Sequence, residues 1–210
     1  MTRVLLVDDH EVVRCGLREI LLESFPGARI GEAGDATAAL ELLAREQWDV
    51  AVIDLTLPGR DGLFVLEAVL RSRPRLPALV LSVHPEEEFA VRCLQLGAAG
   101  YLTKDSAAEE MTAAVNKALS GGRYVSASLA ERLAAVVAGD VALPLHGTLS
   151  ARELEVLRLV AGGYSLKRIA ARLDLSQKTV ATYRARITVK LALSTNVELT
   201  RYAMRHKLVE

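Results

Sequence analysis

The sequence predicts an α/β domain with a doubly wound parallel sheet of five strands, followed by a linker and an all-α domain of four helices. Three observations support this fold class. Short β-rich runs alternate with longer segments of helical spacing over residues 1–122. Residues 149–210 show helical spacing without strand-like alternation. The two parts also carry opposite charges, so we expect two domains with different tasks.

The five β-rich runs define the predicted sheet. Each is followed by a segment whose apolar residues recur three and four positions apart, as in Val13, Leu17, Ile20 and Leu21. Strand–helix units of this kind imply an open parallel sheet covered on both faces. In such sheets, functional residues lie at the carboxyl ends of the strands. The runs span residues 4–7, 28–32, 50–53, 78–82 and 100–102.

The charge distribution separates the two parts of the chain. Residues 1–122 hold 12 Lys or Arg and 19 Asp or Glu, a net charge of −7. Residues 149–210 hold 12 Lys or Arg and 5 Asp or Glu, a net charge of +7. A basic domain joined to an acidic one indicates that one of the two meets a polyanion.

The two cysteines and the apolar runs indicate the cellular compartment of the protein. Cys15 and Cys93 lie in apolar helical patterns, and we expect both to be buried. They form no disulfide framework, which is typical of a reducing cytoplasm. The first apolar run is too short for a signal peptide, and no segment approaches the roughly 18–20 apolar residues of a membrane span. We therefore expect a soluble cytoplasmic protein without membrane insertion.

The linker, residues 123–148, contains a predicted helix at 126–138 with Ser126 or Ser128 as its cap, and a flexible connector at about 139–148. The last part contains four predicted helices. Only three residues separate the middle two, which is the tight connection of a helix-turn-helix. The four helices span about 151–161, 166–173, 177–192 and 196–207.

Polar side chains stand where the predicted strands end. Asp8 and Asp9 follow the first strand, Asp54 ends the third, Ser82 ends the fourth, and Lys104 lies just past the fifth. A parallel sheet brings these ends to one edge, where three carboxylates need a cation, and oxygen ligands suit Mg²⁺. A carboxylate can also accept a phosphoryl group, and an ammonium offsets the transferred charge. The alternative is that these residues only cap helices and turns.

The predicted helix at 177–192 is basic. It carries cationic residues and no acid, and small residues at Ala181 and Ala185 would let it enter a major groove. Thr182 would then meet a base edge, and the flanking cations would hold phosphates. The alternative is a solvated cationic face. The cationic residues are Lys178, Arg184, Arg186 and Lys190.

Residues 1–122 resemble the receiver domains of bacterial two-component systems. The segments LLVDDH, VIDLTLPGRDG, VLS and GYLTK stand in the order and spacing of that family. The resemblance implies that Asp54 is phosphorylated by a histidine kinase or a phosphotransfer domain. It also implies a Mg²⁺ ion and these ligands: Asp9, Asp54, the Thr56 backbone carbonyl and, through water, Asp8.

The resemblance assigns roles to three further residues. Lys104 and Ser82 would stabilise the phosphoryl group. Ser82 and Tyr101 match the family's switch pair, in which the hydroxyl moves to the phosphoryl group and the aromatic ring swings inward; a plain rim aromatic is the alternative for Tyr101. The family more often has Thr at position 82 and Pro at position 105, where this chain has Asp105. Because a cis bond before a non-proline residue costs about 3–4 kcal/mol, we expect a trans bond there.

The last 62 residues resemble the LuxR-type helix-turn-helix, and the whole chain resembles the NarL/FixJ-type response regulators. The segments KTVATYRARITVKL and NVELTRYAMRH are similar to the BvgA and GacA/UvrY-like branch. The resemblance implies promoter DNA as a partner and a homodimer formed through the last helix. The candidate DNA-contacting residues are Lys178, Thr179, Ala181, Thr182, Arg184, Ala185 and Arg186.

These observations lead to a transcription regulator controlled by phosphorylation, which is not an enzyme. We expect phosphorylation to shift an equilibrium toward an open dimer that binds DNA. Two other functions stay open. One is a Mg²⁺-dependent phosphatase, although Thr56 stands where such enzymes place a general acid and cannot serve as one. The other is a regulator that binds DNA without phosphorylation.

Overall fold

The computed structural model describes residues 1–58, 60, 62–138, 145–206 and 208–209, and no side chains at 87 and 88. Contacts between Cα atoms divide the chain into two compact units, Met1–Ala142 and Leu143–Glu210. No helix of the described residues combines the length and the hydropathy needed to cross a bilayer.

The first unit alternates strands with helices, as the sequence predicts. Each predicted strand is present, with ends that differ by no more than one residue. The elements are β1 (Arg3–Val7), α1 (Glu11–Ser24), β2 (Arg29–Ala33), α2 (Ala36–Arg45), β3 (Val50–Asp54), α3 (Gly62–Ser72), β4 (Ala78–Ser82), α4 (Glu86–Leu96), β5 (Gly100–Thr103), α5 (Ala107–Leu119) and α6 (Ala127–Ala138).

The sheet has the strand order β2-β1-β3-β4-β5, and its paired strands are parallel. Every residue of β3 and β4 is buried, because helices cover both faces of the sheet. The register brings the carboxyl ends of the strands together: Asp54 pairs with Leu81, and Ser82 pairs with Thr103. The doubly wound (βα)5 prediction is confirmed.

One face of the sheet is covered by α1 and α5. Leu17 and Leu21 of α1 pack in one apolar cluster with Met111 and Val115 of α5 and with the strands. Burying one such side chain contributes about 1.5–3 kcal/mol. This packing holds α1, and therefore the loop that precedes it, against the end of β1.

Helix α6 is attached to the first unit. The Ser126 hydroxyl accepts a hydrogen bond from the Leu129 amide at 3.1 Å and caps the helix. The hydroxyls of Ser126 and Ser128 donate to Oε2 of Glu86 on α4, at 2.7 and 2.8 Å. Leu129 is fully buried. Of the predicted flexible connector, residues 139–144 lie outside the described residues, and Leu145–Thr148 forms a 3₁₀ helix where we expected irregular chain.

The second unit contains the four predicted helices. Serine or threonine caps each of them through a side-chain oxygen that accepts a backbone N–H. Two of these caps are capping boxes, Ser150 with Glu153 and Thr195 with Glu198. The tight turn between the middle helices needs a left-handed residue, and Asp174 supplies it with φ 52°. The helices are α7 (Ala151–Ala161), α8 (Leu166–Arg172), α9 (Gln177–Leu191) and α10 (Asn196–Arg205).

The expectation for the cysteines was wrong for one of them. Cys93 is buried, but Cys15 is exposed. Cys15 lies two positions before Leu17, which places it about 200° around α1 from that buried residue. Leu17 and Leu21 therefore face the core while the thiol of Cys15 faces solvent.

The two thiols are expected to differ sharply in reactivity. Burial raises the pKa of the Cys93 thiol to about 12, so almost none of it is thiolate near pH 8. At that pH a thiol-reactive dye should modify one cysteine rapidly, and the second only after denaturant is added. Stopped-flow absorbance measures both phases. Cys15→Ser should remove the fast phase alone, and two fast phases in the wild-type protein would contradict the prediction.

Candidate functional site

Three carboxylates meet at the carboxyl edge of the sheet, and with Lys104 we call them the acidic pocket. Asp8 and Asp9 follow β1, and Asp54 ends β3. Asp8 and Asp54 are almost fully buried, at 2% and 1% exposure. The Asp8 amide donates to the Ala33 carbonyl at the end of β2, which fixes the chain where it leaves the sheet.

Lys104 links two of these carboxylates. Its Nζ lies 2.8 Å from Asp54 Oδ2 and 2.7 Å from Asp8 Oδ2. Burial raises the pKa of Asp54 above its ordinary value, against the opposing effect of the Lys104 hydrogen bond. Burial also lowers the pKa of Lys104, but its contacts with Asp54 and Asp8 outweigh this, and that pKa lies above its ordinary value. The pocket therefore holds a cation and two acids in one buried group.

The loop after β3 is packed closely against Asp54. The Thr56 amide donates to Asp54 Oδ1 at 2.9 Å, which orients the carboxylate. The Gly62 amide donates to the Leu55 carbonyl at 2.9 Å. A Cβ atom at Gly62 would lie 1.8 Å from the Asp54 carbonyl oxygen, so only glycine fits at this approach.

Ser82 and Tyr101 both contact the backbone of His84. The Ser82 hydroxyl accepts a hydrogen bond from the His84 amide at 3.0 Å, and the Tyr101 hydroxyl donates to the His84 carbonyl at 2.9 Å. Tyr101 is fully buried and is not a rim aromatic. The loop after β4 is thus held from one side by Ser82 and from the other by Tyr101.

The trans bond expected between Lys104 and Asp105 is confirmed, since the described residues contain no cis peptide bond. The Lys104 amide also donates to the Ser82 carbonyl at 2.8 Å. The β5 end is therefore tied to the β4 end, and the ammonium reaches the acids with Asp105, not a proline, as the next residue.

The donors of the pocket fit a divalent cation. Asp8, Asp9, His10 and Asp54 each offer one ligand atom, and these atoms lie within 4.8 Å of one another. Carboxylate oxygens in this number suit Mg²⁺, which keeps several of its waters. His10 is the member that we did not predict, and the only signal for it in the sequence was its place beside Asp9.

Helix α9 presents two faces. Val180, Ile187 and Leu191 are buried against the rest of the second unit. The opposite face contains small and cationic residues, and it is the face that the sequence predicted for DNA contact. Lys178, Ala181, Thr182, Ala185 and Arg186 are exposed on it, and Thr179 and Arg184 are half-buried.

Two cations of α9 are committed to contacts within the unit. Arg184 Nε donates to Asn196 Oδ1 of α10 at 2.8 Å. Lys190 Nζ lies 2.5 Å from Oε2 of Glu153, a buried residue of α7, and donates to the Thr148 carbonyl at 3.1 Å. The sequence grouped Lys190 with the cations of the helix and did not reveal this partner.

Comparisons with known families cover both units. Residues 4–116 match the response regulator receiver domain. Residues 147–203 match the luxR family of bacterial regulatory proteins. The chain belongs to the response regulators with a LuxR-type DNA-binding domain. The family that the sequence motifs predicted is therefore confirmed.

Curated relatives of this response regulator match along the whole chain. Response regulator UvrY of Escherichia coli (strain K12) is 37% identical, and the match covers 99% of this chain and 96% of UvrY. Response regulator GacA of Pseudomonas aeruginosa is 36% identical, and the match covers 100% of this chain and 99% of GacA.

Solved structures of RcsB resemble this response regulator. RcsB from Salmonella enterica serovar Typhimurium, bound to promoter rprA in the presence of phosphomimetic BeF3-, is 28% identical with a TM-score of 0.61, covering 97% of this chain and 99% of RcsB. A structure of two RcsB dimers bound to two parallel DNAs is 28% identical with a TM-score of 0.59, covering 97% of this chain and 98% of that chain.

Proposed function

We propose that this response regulator accepts a phosphoryl group on Asp54 and that phosphorylation controls its binding to promoter DNA. In this proposal residues 1–122 form the receiver domain, 123–148 the linker and 149–210 the DNA-binding domain. One observation carries the proposal: the Asp54 carboxylate is buried at the end of β3 with the Lys104 ammonium 2.8 Å away. A phosphohistidine of a kinase or of a phosphotransfer domain is the donor.

Transfer to Asp54 is a displacement at phosphorus. A carboxylate oxygen of Asp54 attacks, the bond between phosphorus and the donor imidazole breaks, and the imidazole leaves. Lys104 offsets charge on the transferred group, and the Ser82 hydroxyl donates a hydrogen bond to it. A bound Mg²⁺ would supply further positive charge, held by Asp9, Asp54 and the Thr56 carbonyl, with Asp8 acting through water.

The signal leaves the pocket through the loop after β4. In the structure the Ser82 hydroxyl accepts a hydrogen bond from the His84 amide at 3.0 Å. When this hydroxyl turns toward a phosphoryl oxygen, that hydrogen bond breaks and the His84 amide is released. The buried Tyr101 hydroxyl, on the His84 carbonyl, then fixes the loop in its new position. That loop leads into α4, whose Glu86 holds the cap of α6. We infer that this route carries the change to the linker.

The DNA-binding half uses α9. Its exposed Ala181, Thr182 and Ala185 would face base edges, and Lys178 and Arg186 would hold phosphates. The net charge of +7 over residues 149–210 supports a polyanionic partner.

Dimerisation through α10 would place two such helices on one promoter. Val197 and Met204 on that helix are 67% and 58% exposed, which leaves an apolar stripe for a second copy. RcsB, a relative by structure, has been solved as dimers bound to DNA.

The proposal makes this protein a cytoplasmic regulator and not an enzyme. In a phosphatase built on an aspartate nucleophile, a general acid is expected two residues later, and Thr56 holds that position. A threonine hydroxyl does not donate a proton readily at neutral pH. Asp54 is thus suited to keep a phosphoryl group rather than to turn over a substrate.

Affinity for DNA is expected to rise about tenfold or more when the protein is treated with a small acyl-phosphate donor and Mg²⁺. Sites are first selected from random DNA, and fluorescence anisotropy then measures binding with and without the donor. Binding in both states should weaken steeply as salt increases, because cations of the protein replace condensed counterions. In Asp54→Asn the donor should leave the affinity unchanged. Equal affinity of the wild-type protein with and without the donor would refute control by phosphorylation.

A further inference from the structure

We propose that His10 supplies a nitrogen ligand to the acidic pocket, so that the pocket binds a first-row transition cation such as Co²⁺ or Ni²⁺ as well as Mg²⁺. His10 is the one imidazole of the described residues whose ring nitrogen is grouped with the carboxylates of Asp8, Asp9 and Asp54. The inference rests on the proposed function insofar as that function makes the pocket a cation site.

The distances match ligands that share one cation. His10 Nδ1 lies 2.7 Å from Asp9 Oδ1 and 3.2 Å from Asp8 Oδ1. Ligand atoms bound at about 2.0–2.2 Å and at right angles around one ion lie about 3 Å apart. A cation bound by the imidazole nitrogen and by Asp9 Oδ1 would therefore need little movement of these two side chains.

The backbone holds His10 in this position. Its amide donates to Asp8 Oδ1 at 2.8 Å, and His10 is the N-cap residue from which α1 begins. The Asp8 carbonyl accepts a hydrogen bond from Arg14 Nη1 at 2.6 Å, which ties the same loop to the next turn of α1. The His10 side chain is 58% exposed, so a hydrated cation can reach it from solvent.

The identity of the donor atom sets the selectivity. Mg²⁺ prefers oxygen ligands and gains little from an imidazole. Co²⁺, Ni²⁺ and Zn²⁺ bind imidazole well, and each binds a mixed nitrogen and oxygen site more tightly than Mn²⁺ does. His10 should therefore strengthen binding of these transition cations and leave binding of Mg²⁺ nearly unchanged.

Calorimetric titration of the full chain with Co²⁺ and, separately, with Mg²⁺ tests the assignment. His10→Asn removes the imidazole and keeps a residue that is favourable at an N-cap. This variant should bind Co²⁺ about tenfold more weakly, since even residues that only support a ligand change metal affinity by tenfold or more. Its affinity for Mg²⁺ should change by less than about twofold. The visible absorption of bound Co²⁺ should change as well, because one nitrogen ligand is lost.

The matched control is His206→Ala. His206 is an exposed imidazole of the second unit, and the centre of its ring lies 5.2 Å from that of the His146 ring. The His206→Ala variant therefore reveals any Co²⁺ that this pair of histidines binds. This control should leave the His10-dependent site intact, whereas Asp54→Asn should weaken both Mg²⁺ and Co²⁺ at the shared pocket.

Two results would overturn the inference. Unchanged Co²⁺ affinity in His10→Asn would show that the imidazole is not a ligand. An equal loss for Co²⁺ and Mg²⁺ would show that His10 acts only through the start of α1. Failure of the proposed function gives a different result: Mg²⁺ would not bind to any variant, while Co²⁺ would bind to the wild-type chain and be weakened by His10→Asn.

Discussion

Replacing Asp54 with asparagine is expected to abolish labelling of the protein by a radioactive phosphohistidine donor. Asparagine keeps an oxygen that can accept the Thr56 amide, but its amide group does not attack phosphorus. Among the described residues no other acid ends β3, and the other two carboxylates of the pocket, Asp8 and Asp9, follow β1 instead. Gel autoradiography after a few minutes of transfer measures the loss directly.

Asp49 offers a matched control for this variant. It precedes β3 at the opposite end of the strand from Asp54, is exposed, and accepts a hydrogen bond from the Arg3 amide at 2.8 Å. Asp49→Asn makes the same chemical change just before the other end of this strand and should be labelled like the wild-type protein. Full labelling of Asp54→Asn, or loss of labelling in both variants, would contradict the assignment of Asp54.

The loss of labelling should not come from unfolding. The pKa of Asp54 is raised above its ordinary value of 3.8, chiefly by burial, so the folded protein holds this proton more tightly than the unfolded chain does. The associated stabilisation is fully present below the unfolded value and is lost as pH rises through the raised value. Above the raised value the ionised carboxylate therefore destabilises the fold, and Asp54→Asn should unfold at the same temperature as the wild-type protein or at a higher one.

Much of the fold was predictable because its signals are local. The serine or threonine that caps each helix of the second unit accepts a backbone N–H only three residues away. Each strand is likewise a short β-rich run of the sequence. The carboxyl ends of parallel strands must meet, so the approach of Lys104 to Asp54 followed from strand order, although 50 residues separate them in the chain.

Contacts that depend on how elements pack were not predictable. Cys15 stands among apolar residues, yet its thiol faces solvent because α1 packs with Leu17 toward the core. The apolar pattern identifies a helix, but one exposed small residue does not disturb that pattern. The burial of Tyr101 beneath the His84 carbonyl likewise depends on the loop after β4, for which the sequence gives no local signal.

Lys190 shows the same limit in the second unit. Its charge and its place on α9 indicated a phosphate contact, but its ammonium reaches a buried carboxylate 37 residues earlier in the chain. Lys190 directly precedes the buried Leu191, so the root of its side chain lies near the edge of the core. A cation in such a place is better suited to hold helices together than to meet DNA.

Glu153→Ala is therefore expected to destabilise the second unit. The Glu153 side chain accepts the Ser150 amide at 2.8 Å and pairs with Lys190, so its removal opens the capping box and leaves an ammonium without its buried partner. A hydrogen bond to a charged group contributes about 1.5–3 kcal/mol, and loss of a cap costs about 1 kcal/mol. A small domain has about 5–15 kcal/mol of stability in all, so this unit should unfold at a clearly lower urea concentration.

Urea denaturation of the full chain can separate this effect from the first unit. Trp48, the single tryptophan of the sequence, is buried in the first unit, so its fluorescence follows that unit alone, while circular dichroism follows the helices of both. In Glu153→Ala the dichroism should gain an early transition while the fluorescence transition stays in place. Glu155→Ala is the matched control: it lies on the same helix and loses only its partly exposed pair with Arg152, which contributes about 1 kcal/mol or less. A shift of the fluorescence transition, or equal effects of the two variants, would show that the Glu153–Lys190 pair does not hold α7 to α9.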